Sequence, residues 1–116
     1  MSVEVIERNA WTVFCDRLSP LLVGQQAEVE VASLGLGDQI AAEWTPIVGF
    51  SYDPKDDLFS VALSGLDHLI HRPRTLAAQR RGPAVESLAV TDGEGTLHVV
   101  RFREPPMFSH SPPPEA

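Results

Sequence analysis

Two hydrophobic periods succeed one another along the chain. In NAWTVFCDRLSP, residues 9–20, Trp11, Phe14, Cys15 and Leu18 fall at i, i+3, i+4 and i+7, the spacing that shares one face of a helix. Asn9 stands where an N-cap side chain would accept an unpaired backbone N–H, and Pro20 or Gly24 is expected to stop the helix. The period then drops to two. Ala27, Val29 and Val31 alternate with Glu28 and Glu30, which predicts a half-buried strand.

A longer strand follows over residues 39–52, QIAAEWTPIVGFSY, with Pro46 and Gly49 in its middle. Proline donates no ladder bond and glycine packs no side chain, so an edge, a bulge or a sharp bend is expected there. LFSVAL (residues 58–63), RTLAAQR (74–80), VESLAVTD (85–92) and TLHVVRFR (96–103) read as further strands, and Leu66 to Pro73 as a connection. Short connections make neighbouring strands antiparallel. The expected fold class is α+β, with the N-terminal helix packed on a curved antiparallel meander sheet of five to six strands. Pattern alone leaves both an open sheet and a closed barrel available. Residues 1–104 are expected to form a single α+β domain, and the proline-rich stretch 105–116 a disordered tail.

Composition narrows the classes of function. Sixteen acidic against nine basic residues give a net charge of −7, which repels nucleic acid and anionic membrane as partners. Cys15 is the only cysteine, so neither an internal disulfide nor a paired-cysteine zinc pattern is available. No apolar run reaches membrane-spanning length, and MSVEVIERN lacks a basic segment followed by an apolar core. A cytoplasmic protein without cofactors is the expectation.

The densest chemistry lies in LDHLIHRPRTL, residues 66–76. Asp67, His68, His71, Arg72 and Arg74 are the candidate ligand-binding residues. In a helical turn His68 and His71 would face the same way; in an extended segment His68 points opposite to Asp67 and His71, and no shared site forms. Arg72 and Arg74 could grip a carboxylate or phosphate, or the arginines Arg72, Arg74, Arg80 and Arg81 could pair with Glu28, Glu30 and Glu86 across strands. Asp53, Asp56 and Asp57 lack the ligand spacing of a calcium loop, and Asp53-Pro54 reads as a turn. Ser64 has no nucleophile elbow around it, and Cys15 lies on the apolar helix face, so no catalytic residue is assigned. The glycines of GLGD and DGEG are hairpin turns and not phosphate loops, since neither precedes a helix.

The order of AWTVFCDRLS, Gly24, EVEV, GDQIAAEWTPIVGFSYDPKDD, DHLIHRP and DGEGTLHVVRFREP, from about Trp11 to Pro105, resembles a bacterial domain-of-unknown-function family, number 5335 in that series. The resemblance implies a small single-domain bacterial protein and brings no activity, cofactor or partner. With no credible catalytic set, the leading expectation is a non-enzymatic binding or interaction module. It would be a homodimer or contact a protein partner through a sheet edge, at a surface including Trp44, Pro46, Phe50 and Tyr52. The alternative is a metal- or small-anion-binding protein, an enzyme among the options, built on the segment from Asp67 to Arg74.

Overall fold

The structure, a computed structural model, describes residues 2–108. The elements in chain order are β1 (Ser2–Ile6), a 3-10 turn at Arg8–Ala10, α1 (Trp11–Leu22), β2 (Gln26–Ser33), β3 (Gly37–Asp53), β4 (Leu58–Leu63), β5 (Leu66–His71), β6 (Thr75–Arg81), β7 (Ala84–Thr91) and β8 (Leu97–Phe102). The strands form one open antiparallel sheet in the order β1-β6-β7-β8-β2-β3-β4-β5.

The expectation of an α+β fold with five to six strands is therefore corrected. Among the described residues the chain is mostly β, with eight strands and one short helix, and β1 and β5 are the additions. The sheet does not close: β1 and β5 are its two free ends.

The long strand β3 shapes the molecule. Its first half pairs with β2 and its second half with β4. At three points it carries one residue more than its partner: between Ala42 and Thr45, between Ile40 and Ala42, and between Ile47 and Gly49. Extra residues of this kind bend a strand and raise its twist. Trp44, in one of these bulges, has φ of 41°, a left-handed conformation that a bulky residue rarely adopts. Of the irregularities expected around Pro46 and Gly49, the bulge between Ile47 and Gly49 is present; the two earlier bulges, at 40–42 and 42–45, fall outside that expectation. Together they let the sheet fold over on itself. A flat sheet would hold β5 and β8, four positions apart in the order, about 19 Å from one another. Instead side chains of the two strands meet.

The helix lies inside this fold. Trp11, Phe14, Cys15, Leu18 and Leu22 are buried against Ile47, Phe50, Phe59, Ile70, Leu76, Val100 and their neighbours. Two polar ties fix the placement. Trp11 Nε1 donates to the Ile6 carbonyl at 2.9 Å, and Ser19 Oγ both donates to the Phe50 carbonyl (2.7 Å) and accepts from the Phe50 N–H (2.9 Å). One boundary expectation is corrected: Asn9 does not cap α1, whose N-cap position is Ala10 with no side-chain bond. Of the two expected stops, Pro20 lies within the helix, and the helix ends at Leu22, just before Gly24 with its φ of 86°. Burial of Leu18 and Leu22 on the same face offsets the cost of the missing proline N–H.

The expected disordered tail is also corrected at its start. Pro106 and Phe108 are buried, Val85 N–H donates to the Pro106 carbonyl, and Phe108 N–H donates to that of Pro83. The Phe108 ring meets Phe14 edge-on at 5.3 Å. Polar pairing satisfies the backbone of this proline-flanked stretch, and one large ring anchors it. Residues 109–116 lie outside the described residues.

Two expectations follow. Phe108→Ala should lower stability by about 3 kcal/mol, read from a denaturant midpoint; a change under about 1 kcal/mol would mean that the segment after Arg103 does not dock. Ser19→Ala removes both bonds to Phe50 and should cost about 1–3 kcal/mol in the same measurement, with no cost if the helix is held by apolar contacts alone.

Candidate functional site

The segment from Leu66 to His71 is a strand, paired to β4 with His68 opposite Val61 and Ile70 opposite Phe59. Side chains of a strand alternate, so His68 and Ile70 face the interior while Asp67, Leu69 and His71 face out. The structure thus separates His68 from Asp67 and His71. Among the described residues, no group of three or more His, Cys, Asp and Glu is placed to hold a metal ion.

The arginines of the same region are engaged. Arg72 reaches Glu94 at 3.3 Å, both side chains largely exposed, and Arg74 donates to the Gly93 carbonyl. Arg80 pairs with Glu4 at 3.1 Å and donates to the Phe108 carbonyl, while Arg81 approaches Glu86 at 3.7 Å. Glu28 and Glu30 are taken by Arg101, at 3.2 and 2.7 Å. Of the cross-strand pairs expected from the sequence, only that of Arg81 with Glu86 forms. Exposed pairs such as Arg72 with Glu94 add little to stability.

His68 instead meets a residue the sequence reading passed over. Its Nε2 lies 2.9 Å from Nδ1 of His98, and Nε2 of His98 lies 2.9 Å from Asp92 Oδ2. Asp92 is held in turn by backbone: its Oδ1 accepts the N–H groups of Glu94 and Thr96 at 2.8 and 3.0 Å. Burial pushes the Asp92 carboxyl up, but the bonds from His98, Glu94 and Thr96 outweigh it and hold the group below the usual carboxylate range. Burial first, and the neighbouring His98 second, hold His68 below the ordinary histidine value. His98 is buried, facing inward with Val100 and Phe102 on β8. An imidazole in an inward series of apolar residues was the available signal, because a buried ring nitrogen needs partners.

Gly93 lets the two loops at this end close together. A Cβ there would lie 3.1 Å from Arg72 Cβ and 3.2 Å from the Arg72 carbonyl oxygen. Neither of two clefts, of about 330 and 270 Å³, is lined by His68, His98 or Asp92. The three-residue chain is a largely buried connection between β5 and the β7–β8 hairpin.

The expected interaction surface is dispersed. Phe50 is 1% exposed and stacks on Phe59 in the core. Tyr52 is half-buried against Trp11, and its hydroxyl donates to Asp57 at 2.7 Å beside Arg8. Trp44 is half-buried under the Arg103 guanidinium, 5.4 Å from the ring centre, and Pro46 is exposed. Phe50 is thus a packing residue and not part of a surface. Cys15, buried on the helix, has its thiol pushed well above the usual range by burial and then by Asp16, which leaves it inert as a nucleophile.

A different surface is continuous. Sheet register places Val5 beside Ala77, Ala77 beside Ala89, Ala89 beside Val99, Val99 beside Glu30 and Glu30 beside Ile40, all on the outer face. This row begins on the free strand β1, where Val3 and Val5 are 68% and 70% exposed.

A curated relative, an uncharacterized protein of Aquifex aeolicus (strain VF5), is 33% identical over 104 residues, covering 89% of this chain and 94% of the relative. No solved structure matches the chain. No helix among the described residues is long and apolar enough to cross a membrane. The match to the family of unknown function DUF5335 spans residues 2–111, and the chain belongs to that family.

Proposed function

We propose that this protein is an interaction module that pairs with a second copy of itself through the edge of β1 and the adjoining outer face. The observation that carries this reading is the state of the two sheet ends. A free edge strand presents unpaired N–H and C=O groups, and monomeric proteins usually guard it with charge, proline or a bulge. At β5 the outward side chain Leu69 stands between Asp67 and His71, and Arg72-Pro73 follow directly. At β1 the outward side chains are Val3 and Val5, and Glu4 is turned inward to Arg80. The guarded end is β5 and the open end is β1.

Antiparallel pairing of β1 with its symmetry copy makes a closed twofold contact, in which each copy meets the same surface of the other. It continues one sheet across both copies and covers the two valines. The neighbouring outer residues Ala77 and Ala89 are small and uncharged, which allows close approach. The net charge of −7 on each copy opposes the contact at low salt. An acidic chain also remains a poor partner for nucleic acid and anionic membrane.

Light scattering behind size exclusion should give twice the chain mass at micromolar concentration, with the dimer favoured as salt rises. The double variant Val3→Lys, Val5→Lys should run as a monomer with its melting temperature and circular dichroism kept. It lowers the negative charge of each copy, so its loss of pairing cannot come from long-range repulsion. A monomer at every concentration in the wild type, or a dimer unchanged in the variant, would refute the reading.

A further inference from the structure

The chain Asp92–His98–His68 joins the two halves of the bent sheet, one end on the β7–β8 loop and the other on the free strand β5. Its hydrogens follow from its partners. Asp92 is a carboxylate that accepts from backbone at Oδ1, so His98 Nε2 donates to Oδ2. In the neutral state His98 Nδ1 is then an acceptor, and His68 Nε2 carries the proton that fills the 2.9 Å gap.

We propose that these three residues form a two-proton latch, which holds the β4–β5 half of the sheet onto β8 with no added proton or with one, and releases it on the second. With one proton added to the pair, the ring between the two partners can donate both to Asp92 and to His68 Nε2, the proton of His68 then sitting on Nδ1. Every nitrogen facing another group keeps a matched partner. The second proton leaves N–H facing N–H between two cationic rings, and the bond is replaced by repulsion.

Among the described residues, the register partners of the two histidines on the packed strands are not titratable. The partner of His68 on β4 is Val61, and β4 has no titratable residue. The partners of His98 are Val31 on β2 and Val90 on β7. Asp67 and His71 face outward on β5. The loops add Glu94 and Arg72, which pair with each other, and Arg74, which donates to the Gly93 carbonyl beside Asp92.

The lowered proton affinity of His68 agrees with this order of events. A histidine whose folded value lies below its unfolded value costs stability only on the acid side. Stability is full above the ordinary value of 6.5 and falls as pH drops through the lowered folded value. Asp92, also lowered, keeps its contribution until pH falls from about 3.8 through its own folded value. Release therefore begins at His68, and the moving part is β4–β5, turning about the β3 bend and uncovering Ile70 and Phe59.

The test is an NMR titration of the imidazole nitrogens with amide exchange read alongside. At neutral pH both His68 and His98 should be Nε2–H tautomers. Acidification should give two coupled steps, the second below 6.5, together with loss of amide protection in β4 and β5 but not in β6–β8. His68→Gln retains a donor toward His98 and cannot take the second proton. Its β4–β5 protection should therefore stay flat through the pH at which the wild type opens. Asp92→Asn, which removes the anion that favours the first proton, should move the first step to lower pH. Independent titration of the two rings, or a His68→Gln variant that opens where the wild type does, would overturn the proposal. If His68→Gln fails to fold, the Asp92→Asn titration decides alone, and an unmoved first step counts against the latch.

Discussion

The bend in β3 is the constraint on which the rest depends. Among the described residues, a single sheet of eight strands has two faces to cover and only a 12-residue helix to cover them with. The chain resolves this by inserting one surplus residue at three points of β3, so that the sheet curls around the helix and its own second half. One face then closes on a core of Trp11, Phe14, Phe50 and Phe59. The other face, and the free end at β1, stay uncovered. The same bend that makes the core also leaves that outer face and the β1 edge open.

Folding a sheet over brings distant strands together, and each junction needs its own fastening. Ser19 joins helix to strand through both polar groups of Phe50. Arg8 spans Tyr52, Asp57 and the Pro73 carbonyl, with its guanidinium 4.4 Å from the Trp11 ring. The imidazole pair joins β5 to β8. Of these, only the last is built from imidazoles, the side chains whose ordinary titration range lies nearest neutral pH.

The helix face and the last of the β3 bulges were legible in the sequence because each rests on a local rule. Four apolar residues at helical spacing admit one face, and Pro46 with Gly49 cannot sit in a regular central strand. The two end strands were not legible, for different reasons. In β1 the alternation is present, but its valines face outward and its glutamate inward, the reverse of a half-buried strand. In β5 the run Leu66, Leu69, Ile70 breaks the alternation, and Pro73 suggested a loop. The docked end at Phe108 was hidden by composition, since one buried ring decides the order of a stretch otherwise rich in proline. Of the site residues, His68 was legible as a candidate but its partners were not. His98 and Asp92 meet within one separate hairpin, and only the fold-over of the sheet brings His68 within 2.9 Å of His98. No local pattern encodes a meeting across five strands.

The central claim is that β1 is an unguarded edge that a second copy completes. The most direct measurement is amide hydrogen exchange at β1 as a function of protein concentration. The amides of Ser2–Ile6 that point away from β6 should exchange fast in dilute solution and slow progressively as concentration rises, while those bonded to β6 stay protected throughout. Equally fast exchange of the outward amides at every concentration would contradict the account.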